Sequence, residues 1–316
     1  MKIIYNGTQD GRLYKNILGQ TIGAILQEDP GAVYLDADLM SCIGTAGLPA
    51  KTPRAINCGI AEANMIGAAC GLSAVGMHPI AHTFGPFASR RCFDQLFLSG
   101  GYAGNAITVI GTDPGICAAF NGGTHMPFED MALYREIPDA TVVDVTDAAM
   151  LQFFLRSFLT KPGVKYLRVG RKDFYPVYAE QTQFTPGQAA VLREGADAVI
   201  VASGIMVREA LEAAAALEQE GIHAAVIDPV TVKPLDAACI RAWAEKTGVV
   251  VTAENHSRIG GLTSAVQDAV CGLPLRFGCV AVDDCFGEVG PQSYLRERFG
   301  LTDVRLAQTV KELCHG

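Results

Sequence analysis

Short apolar runs alternate with longer segments of helical periodicity along almost the whole chain, and that alternation restricts the fold more than any other feature. Leu13, Ile17, Leu18, Ile22, Ile25 and Leu26 recur at helical spacing after Asp10, which reads as an N-cap, and Asp29-Pro30-Gly31 stops the pattern. An apolar strand over 32–35 follows. The same rhythm predicts an Ala/Gly-rich helix over 61–74, strands over 107–110 and 141–143, a helix over 148–158 and a strand over 165–169. Strands this short and apolar, separated by helices, imply an α/β protein with a mostly parallel sheet covered on both faces.

The rhythm lapses between Arg171 and Gly187 into aromatic, Gln and Pro residues, including Pro176 and Pro186-Gly187, as a linker would. It resumes with strands over 198–202, 224–227, 249–252 and 280–282, separated by helices over 207–220, 235–246 and 262–270. Two domains are therefore expected, residues 1–185 and residues 186–316, each a mostly parallel sheet flanked by helices with right-handed crossovers. A length of 316 residues suits two cores.

Composition removes several functional classes. Hydrophobic residues make up 49% and charged residues 18%, so both units can bury large interiors. The formal net charge is −8 and the basic residues are scattered, which argues against a nucleic-acid footprint. No apolar run is long enough to span a bilayer, and the opening residues lack the apolar stretch of a signal peptide, so a cytoplasmic location is expected. The ten cysteines form no Cys-x-x-Cys pair and read as buried free thiols. Neither a phosphate loop nor a G-x-G-x-x-G fingerprint occurs, which disfavours kinase and dehydrogenase readings.

Four segments of the first unit carry chemistry: Leu35-Asp36-Ala37-Asp38-Leu39, Asn57-Cys58-Gly59-Ile60-Ala61-Glu62-Ala63-Asn64-Met65, Thr83-Phe84-Gly85-Pro86-Phe87 and Asn121-Gly122-Gly123-Thr124-His125. In this order and at these separations they resemble the pyrimidine-binding domain of transketolases. The resemblance continues through Glu129-Asp130-Met131-Ala132-Leu133 and Arg135-Glu136-Ile137-Pro138 to Glu254-Asn255-His256-Ser257 and Gly260-Gly261-Leu262, so it covers nearly the whole chain from about Arg12 onward. It implies thiamine diphosphate as cofactor and, for Glu62, a hydrogen bond to the aminopyrimidine that favours the tautomer able to take the thiazolium proton. An apolar pocket around that carboxyl is expected to raise its pKa by desolvation. A first-turn glutamate also complements a helix dipole without any catalytic role.

The resemblance further implies an aromatic seat for the pyrimidine from Phe84 and Phe87. It implies a sugar-facing His125 able to exchange protons near neutrality. Arg12 and Arg171 match arginines that grip a sugar phosphate at the mouth of the substrate channel, with Arg168 close enough to compete for the second position. Asp38 matches a position near the cofactor, and Asp36 competes with it.

Three residues depart from the pattern. Asn121 stands where an Asp binds donor hydroxyls, Cys42 stands where a Ser is usual, and Arg90 stands at a position aromatic in many relatives. The larger departure is an absence. The Gly-Asp-Gly sequence that marks the domain holding the diphosphate and its Mg2+ or Ca2+ does not occur. The resemblance therefore implies the C-terminal subunit of a split transketolase, active only with an N-terminal partner subunit that supplies the metal, within a heterotetramer built on a homodimer core. It would move a two-carbon ketol unit from a ketose phosphate to an aldose phosphate. The alternatives are a 2-oxo acid dehydrogenase E1 β-subunit, a 1-deoxyxylulose-5-phosphate synthase-like enzyme, and a regulatory homologue without catalysis.

Overall fold

The computed structural model describes residues 1–315 and resolves the chain into two α/β units, each built on its own sheet. In the first, α1 (Tyr14–Glu28) leads to β1 (Ala32–Asp36), β2 (Ala55–Asn57), α2 (Glu62–Ala74) and β3 (His78–Phe84). A run of short helical turns follows, α3 (Gly85–Ser89) and α4 (Phe93–Gln95) among them, and then β4 (Ile107–Thr112), α5 (Asp130–Glu136), β5 (Thr141–Asp144), α6 (Ala148–Ser157) and β6 (Val164–Val169). The strands lie in the order β2-β1-β3-β4-β6-β5 and every pairing is parallel. The apolar stripe of α1 packs Ile17, Leu18, Ile22, Ile25 and Leu26 into the core, as its spacing predicts.

The second unit contains β7 (Ala190–Arg193), β8 (Ala198–Ala202), α7 (Met206–Gln219), β9 (Ala224–Asp228), α8 (Ala237–Thr247), β10 (Val249–Ser257), α9 (Leu262–Val270), β11 (Arg276–Val282), α10 (Gln292–Arg298) and α11 (Asp303–His315). Its sheet runs β11-β10-β8-β9-β7, and only the edge strand β7 is antiparallel, against β9.

Several local expectations change. Asp10 is not the cap of α1. The N-cap is Leu13, held extended while the next residue donates its backbone N–H to Lys172, and Asp10 instead accepts from the backbone N–H of Arg12 at 2.8 Å. Strand β3 carries no clean apolar run because His78, Pro79, His82 and Thr83 interrupt it. Pro79 is tolerated because the ladder to β4 begins one residue later, at Ile80. His82 is satisfied inside the sheet by Asp36 at 2.6 Å and Thr112 at 3.1 Å. All ten cysteines are free, but only Cys70, Cys92 and Cys117 are buried, while Cys271 and Cys285 are exposed.

A buried polar seam joins the two units. Arg168, in β6, is fully buried; its guanidinium donates to Asp130 at 2.8 Å, Asp144 at 3.3 Å, the Pro127 carbonyl at 3.1 Å and the Asn255 carbonyl at 2.7 Å. Asp144 in turn accepts from Ser203 across the seam at 2.8 Å. Asn255 donates to Pro114 at 2.8 Å and accepts from the Ile116 backbone N–H at 3.0 Å. Nearby, Asp228 accepts from Thr146 at 2.6 Å and Tyr178 at 2.9 Å.

Arg168→Met would leave two buried carboxylates without their cation, and the expected cost is about 3–5 kcal/mol, read from the shift of a denaturant midpoint. Burial pushes Asp228 up to about 6, above its value in the unfolded chain. The folded state therefore holds a proton that the unfolded state releases. Its contribution is full below the unfolded value of about 4 and is lost as pH rises through about 6. Asp228→Asn is expected to flatten the pH dependence of the melting temperature across that window; an unchanged slope would show that the carboxyl does not govern it.

Candidate functional site

Glu62 is the first residue of α2, its carboxylate at the positive end of the helix dipole, and it is only 4% exposed. Its surroundings differ from the apolar pocket expected of it. Arg91 donates to Oε1 at 2.7 Å while remaining nearly half exposed itself. The guanidinium faces water on one side and the buried carboxylate on the other. No signal singled out Arg91 except its place four residues after Phe87, the separation that puts both on one helical face.

The floor beside Glu62 is aromatic. Strand β3 ends at Phe84 and turns directly into α3, which brings Phe84 and Phe87 to 6.2 Å between ring centroids. His125 stands edge-on to both, at 5.8 and 5.2 Å, with Nδ1 hydrogen-bonded to Thr124 at 2.9 Å. Arg91 lies over the face of Phe87 at 3.7 Å. Phe87, Arg90, Arg91, Thr124 and His125 line a cavity of about 420 Å3. The loop that presents His125 depends on two glycines. Gly122 has φ +78 and a side chain there would strike Val289, while a side chain at Gly123 would strike the backbone of Gly287 in the second unit. Asn121 is exposed at the head of this loop, and Arg90 pairs with Glu129 at 3.0 Å.

Asp36 and Asp38 separate cleanly. Asp36 is buried and occupied by His82 and by the Tyr34 hydroxyl at 2.5 Å, so it belongs to the sheet. Asp38 is exposed at φ +64 and accepts from Asn57 at 3.0 Å, which ties it to the loop leading into Glu62. Arg168 and Arg171 separate as well. Arg168 is the hub of the buried seam, whereas Arg171 lies 4.8 Å over the Phe84 ring and reaches a second cavity. Arg12 is not brought beside Arg171 in that cavity. It is half exposed, paired with Asp10 at 2.8 Å and Glu180 at 3.3 Å, and it lines a different hollow.

The second cavity, about 270 Å3, lies between the two units at the carboxyl ends of β4, β6 and β8. Crevices at such strand ends are where open α/β sheets take ligands. Tyr14, Asp113, Cys117, Arg171, Arg208 and Arg296 are among its walls. Asp113, which sequence reasoning did not single out, is 2% exposed and ion-paired to Arg171. Burial works against the Arg171 charge, but the hydrogen bond and attraction of Asp113 outweigh it and raise its pKa. Cys42 is half-buried and close enough to bear on the same charge. Burial pushes Cys117 up to about 12, so its thiol stays protonated. Among the described residues, no group of three or more His, Cys, Asp or Glu is placed to hold a metal ion. No described helix is long and apolar enough to cross a membrane.

Two mostly parallel sheet units joined by a buried seam, with a glutamate in the first turn of a helix beside an aromatic seat, match a known arrangement. Residues 11–176 match the family model for the transketolase pyrimidine binding domain, and residues 187–306 match that for the transketolase C-terminal domain. The chain belongs to the transketolase family. It is 47% identical over 91% of its length, and 90% of the relative's, to a 6-deoxy-6-sulfo-D-fructose transketolase subunit of Clostridium sp.. It is 28% identical over 92% of its length, and 94% of the relative's, to one of the subunits of an apulose-4-phosphate transketolase of Phocaeicola vulgatus. A solved split-gene transketolase, an inactive β4 tetramer, superposes with a TM-score of 0.87 at 38% identity, covering 97% of this chain and 99% of that one. Within the family, then, the chain is a C-terminal subunit of a split transketolase, a transferase component.

Proposed function

We propose that this chain completes a thiamine-diphosphate site together with a partner subunit and transfers a two-carbon ketol unit from a ketose phosphate to an aldose phosphate. The observation that carries the reading is the meeting of Glu62, Phe87 and His125, through Arg91, around one open cavity. These residues fit one end of that cofactor. A flat aromatic ring can rest on Phe84 and Phe87, and a buried carboxylate sits at their side to bond a ring nitrogen. When bound, the cofactor supplies a nucleophilic carbon for cleavage beside a ketose carbonyl.

In this reading Glu62 fixes the proton balance of the pyrimidine, His125 exchanges protons with sugar oxygens, and Asn121 reads donor hydroxyls at the loop head. Asp38 holds the entry loop of α2 through Asn57. Arg171 faces the distal end of the substrate, whereas Arg12, in a separate hollow, is left as the resemblance's second phosphate arginine without support from the cavity. In this reading the domain boundary lies near residue 186, which the ranges of the two matched family models support.

The other end of the cofactor is an anion that needs a divalent cation with oxygen ligands, Mg2+ or Ca2+, and the partner subunit is assigned that task. Exposed Ile60 and Phe120 border Glu62 and Asn121 in sequence, and Phe286 and Val289 are exposed beside the His125 loop. Apolar side chains gathered there suit burial against another subunit, and two copies of each chain give the heterotetramer. The 47% identity to a subunit named for 6-deoxy-6-sulfo-D-fructose supports a second donor class, sulfonated ketoses.

Ketol transfer should appear only when the partner is added to this chain with thiamine diphosphate and magnesium, with mass followed by light scattering. Full activity of the isolated chain would overturn the split arrangement. In the reconstituted enzyme, Glu62→Gln is expected to lower kcat by about 10²–10⁴-fold with an unchanged circular dichroism spectrum. Turnover equal to the unsubstituted enzyme would remove Glu62 from the chemistry.

A further inference from the structure

The 270 Å3 cavity between the two units is lined by polar atoms that the fold leaves unfinished. Arg171 bonds Asp113 through Nη2 to Oδ2, and Asp113 is only 2% exposed. Among the described residues, Asp113 Oδ1, Arg171 Nε and Arg208 Nε are buried without a hydrogen-bond partner, and all three residues line this cavity. Buried polar atoms left open in this way cost stability unless a ligand or water completes them. The set is one acceptor and two donors, so the group that completes it must supply one donor and two acceptors. A phosphate monoester carrying one proton has that inventory on its three terminal oxygens. The dianion offers acceptors only.

Charge favours the same form. The cavity walls carry Arg171, Lys172, Arg208 and Arg296 against Asp113 and Asp173. Glu209, behind the wall, pairs with both Arg208 and Arg296, which leaves one positive charge for a ligand to balance. A second negative charge on the ligand would meet the Asp113 carboxylate, which is buried away from the water that screens like charges. The other ionisable groups around this corner are Tyr14 and Cys117 on the walls and Cys42 near Arg171. Burial keeps Tyr14 and Cys117 protonated well above neutrality. Arg168 and Asp144, which also bear on Cys117, are paired with each other in the seam. Asp113 holds its position through its backbone: it follows the last residue of β4 at φ +59, a left-handed conformation that Asp and Asn tolerate better than most side chains.

We propose that Asp113 is a specificity-determining residue that admits the distal phosphate of the sugar in its singly protonated form. The phosphate O–H donates to Asp113 Oδ1, and the other two terminal oxygens accept from Arg171 Nε and Arg208 Nε. The inference rests on the reading of the chain as a ketol-transfer subunit and names the protonation state in which that same site takes its substrate. Asp113 takes no part in bond cleavage. It makes binding of the phosphate end depend on a proton that the ligand brings.

The test follows kcat/KM of the reconstituted enzyme from pH 6 to pH 8 for two ketose donors, one ending in a phosphate and one in a hydroxyl. Ionisations of the protein that act on both donors cancel in the ratio of the two, and the hydroxyl end does not titrate. The second pKa of a phosphate monoester is about 6, so the phosphate-to-hydroxyl ratio should fall about 50-fold over that range, through KM and not kcat. Asp113→Asn keeps a side chain suited to φ +59 and can donate its amide N–H to the dianion, so there the ratio should change by less than about threefold. A ratio that stays within about threefold in the unsubstituted enzyme, or a fall that persists in Asp113→Asn, overturns the proposal. The isolated chain, whose residues wall the cavity, supplies a second readout that needs no variant. Titrated by calorimetry with 2-hydroxyethyl phosphate at pH 8, in buffers of different ionisation enthalpy, it should take up about one proton per phosphate bound, because the free ester is a dianion there. Binding without proton uptake, or no binding at pH 6, overturns the assignment. Absence of ketol transfer from both donors in the unsubstituted enzyme would instead strike the parent reading, and the proton count would still decide the role of Asp113.

Discussion

Everything near the candidate site hangs from one buried cation. The Arg168 guanidinium reaches two carboxylates and two carbonyls, drawn from the end of β5, the start of α5, the loop before it, and β10 of the second unit. Burying a guanidinium is costly, and the cost is offset only when nearly every donor finds an acceptor in good geometry. That requirement fixes the relative position of the segments, and each also serves the site. The Pro127 carbonyl follows the His125 loop by two residues, and Asn255 clamps the turn after Asp113 through Pro114 and Ile116. A seam of directional bonds therefore sets two cavities at once, one under His125 and one under Asp113.

This construction explains why the chemistry lies at the ends of strands and not within them. Strands β3, β4 and β6 finish at Phe84, Thr112 and Val169, and the next residues turn out of the sheet as Gly85, Asp113 and Gly170-Arg171. Inside the sheet, polar residues are consumed by pairing, as His82 is by Asp36 and Thr112. Just beyond it, the backbone is free to leave extended geometry, and Asp113 adopts positive φ there. The result is side chains aimed into a crevice by a rigid base.

How much of this was legible in the sequence depended on which physical signal each piece carries. Helical periodicity survives in sequence when one face is buried, so α1 and α9 were readable, α9 to its terminal residues. Strand β3 was not, because His78, His82 and Thr83 interrupt its apolar run, and buried His82, satisfied by Asp36 and Thr112, looks in sequence like a surface residue. Strand β7 is a short edge with one fully buried residue, and α10 and α11 carry many charges, so none announced itself. The grouping of Glu62, Phe84, Phe87 and His125 was legible through family resemblance. The identity of their neighbours was not. Arg91 and Asp113 act through contacts to residues 29 and 58 positions away, and no local pattern encodes such distances. The sequence reading favoured Arg171 with Arg168 as its competitor, and the sheet separates the two, since one lies inside β6 and the other two residues past its end.

The same logic bears on why such a site should be divided between chains. A ring-binding surface needs apolar and aromatic groups left open toward the cofactor, and here His125 and Phe87 are only partly buried while Ile60 and Phe120 stand in solvent. A monomer gains nothing from exposing these side chains, because burying each is worth on the order of 1.5–3 kcal/mol. Their exposure makes sense when the surface that covers them also brings the missing half of the site. Completion of the cavity and burial of the apolar rim then become a single event, and the incomplete site is the one that remains wet. The half-exposed Arg91 pairs with Glu62 at 2.7 Å on this same open side.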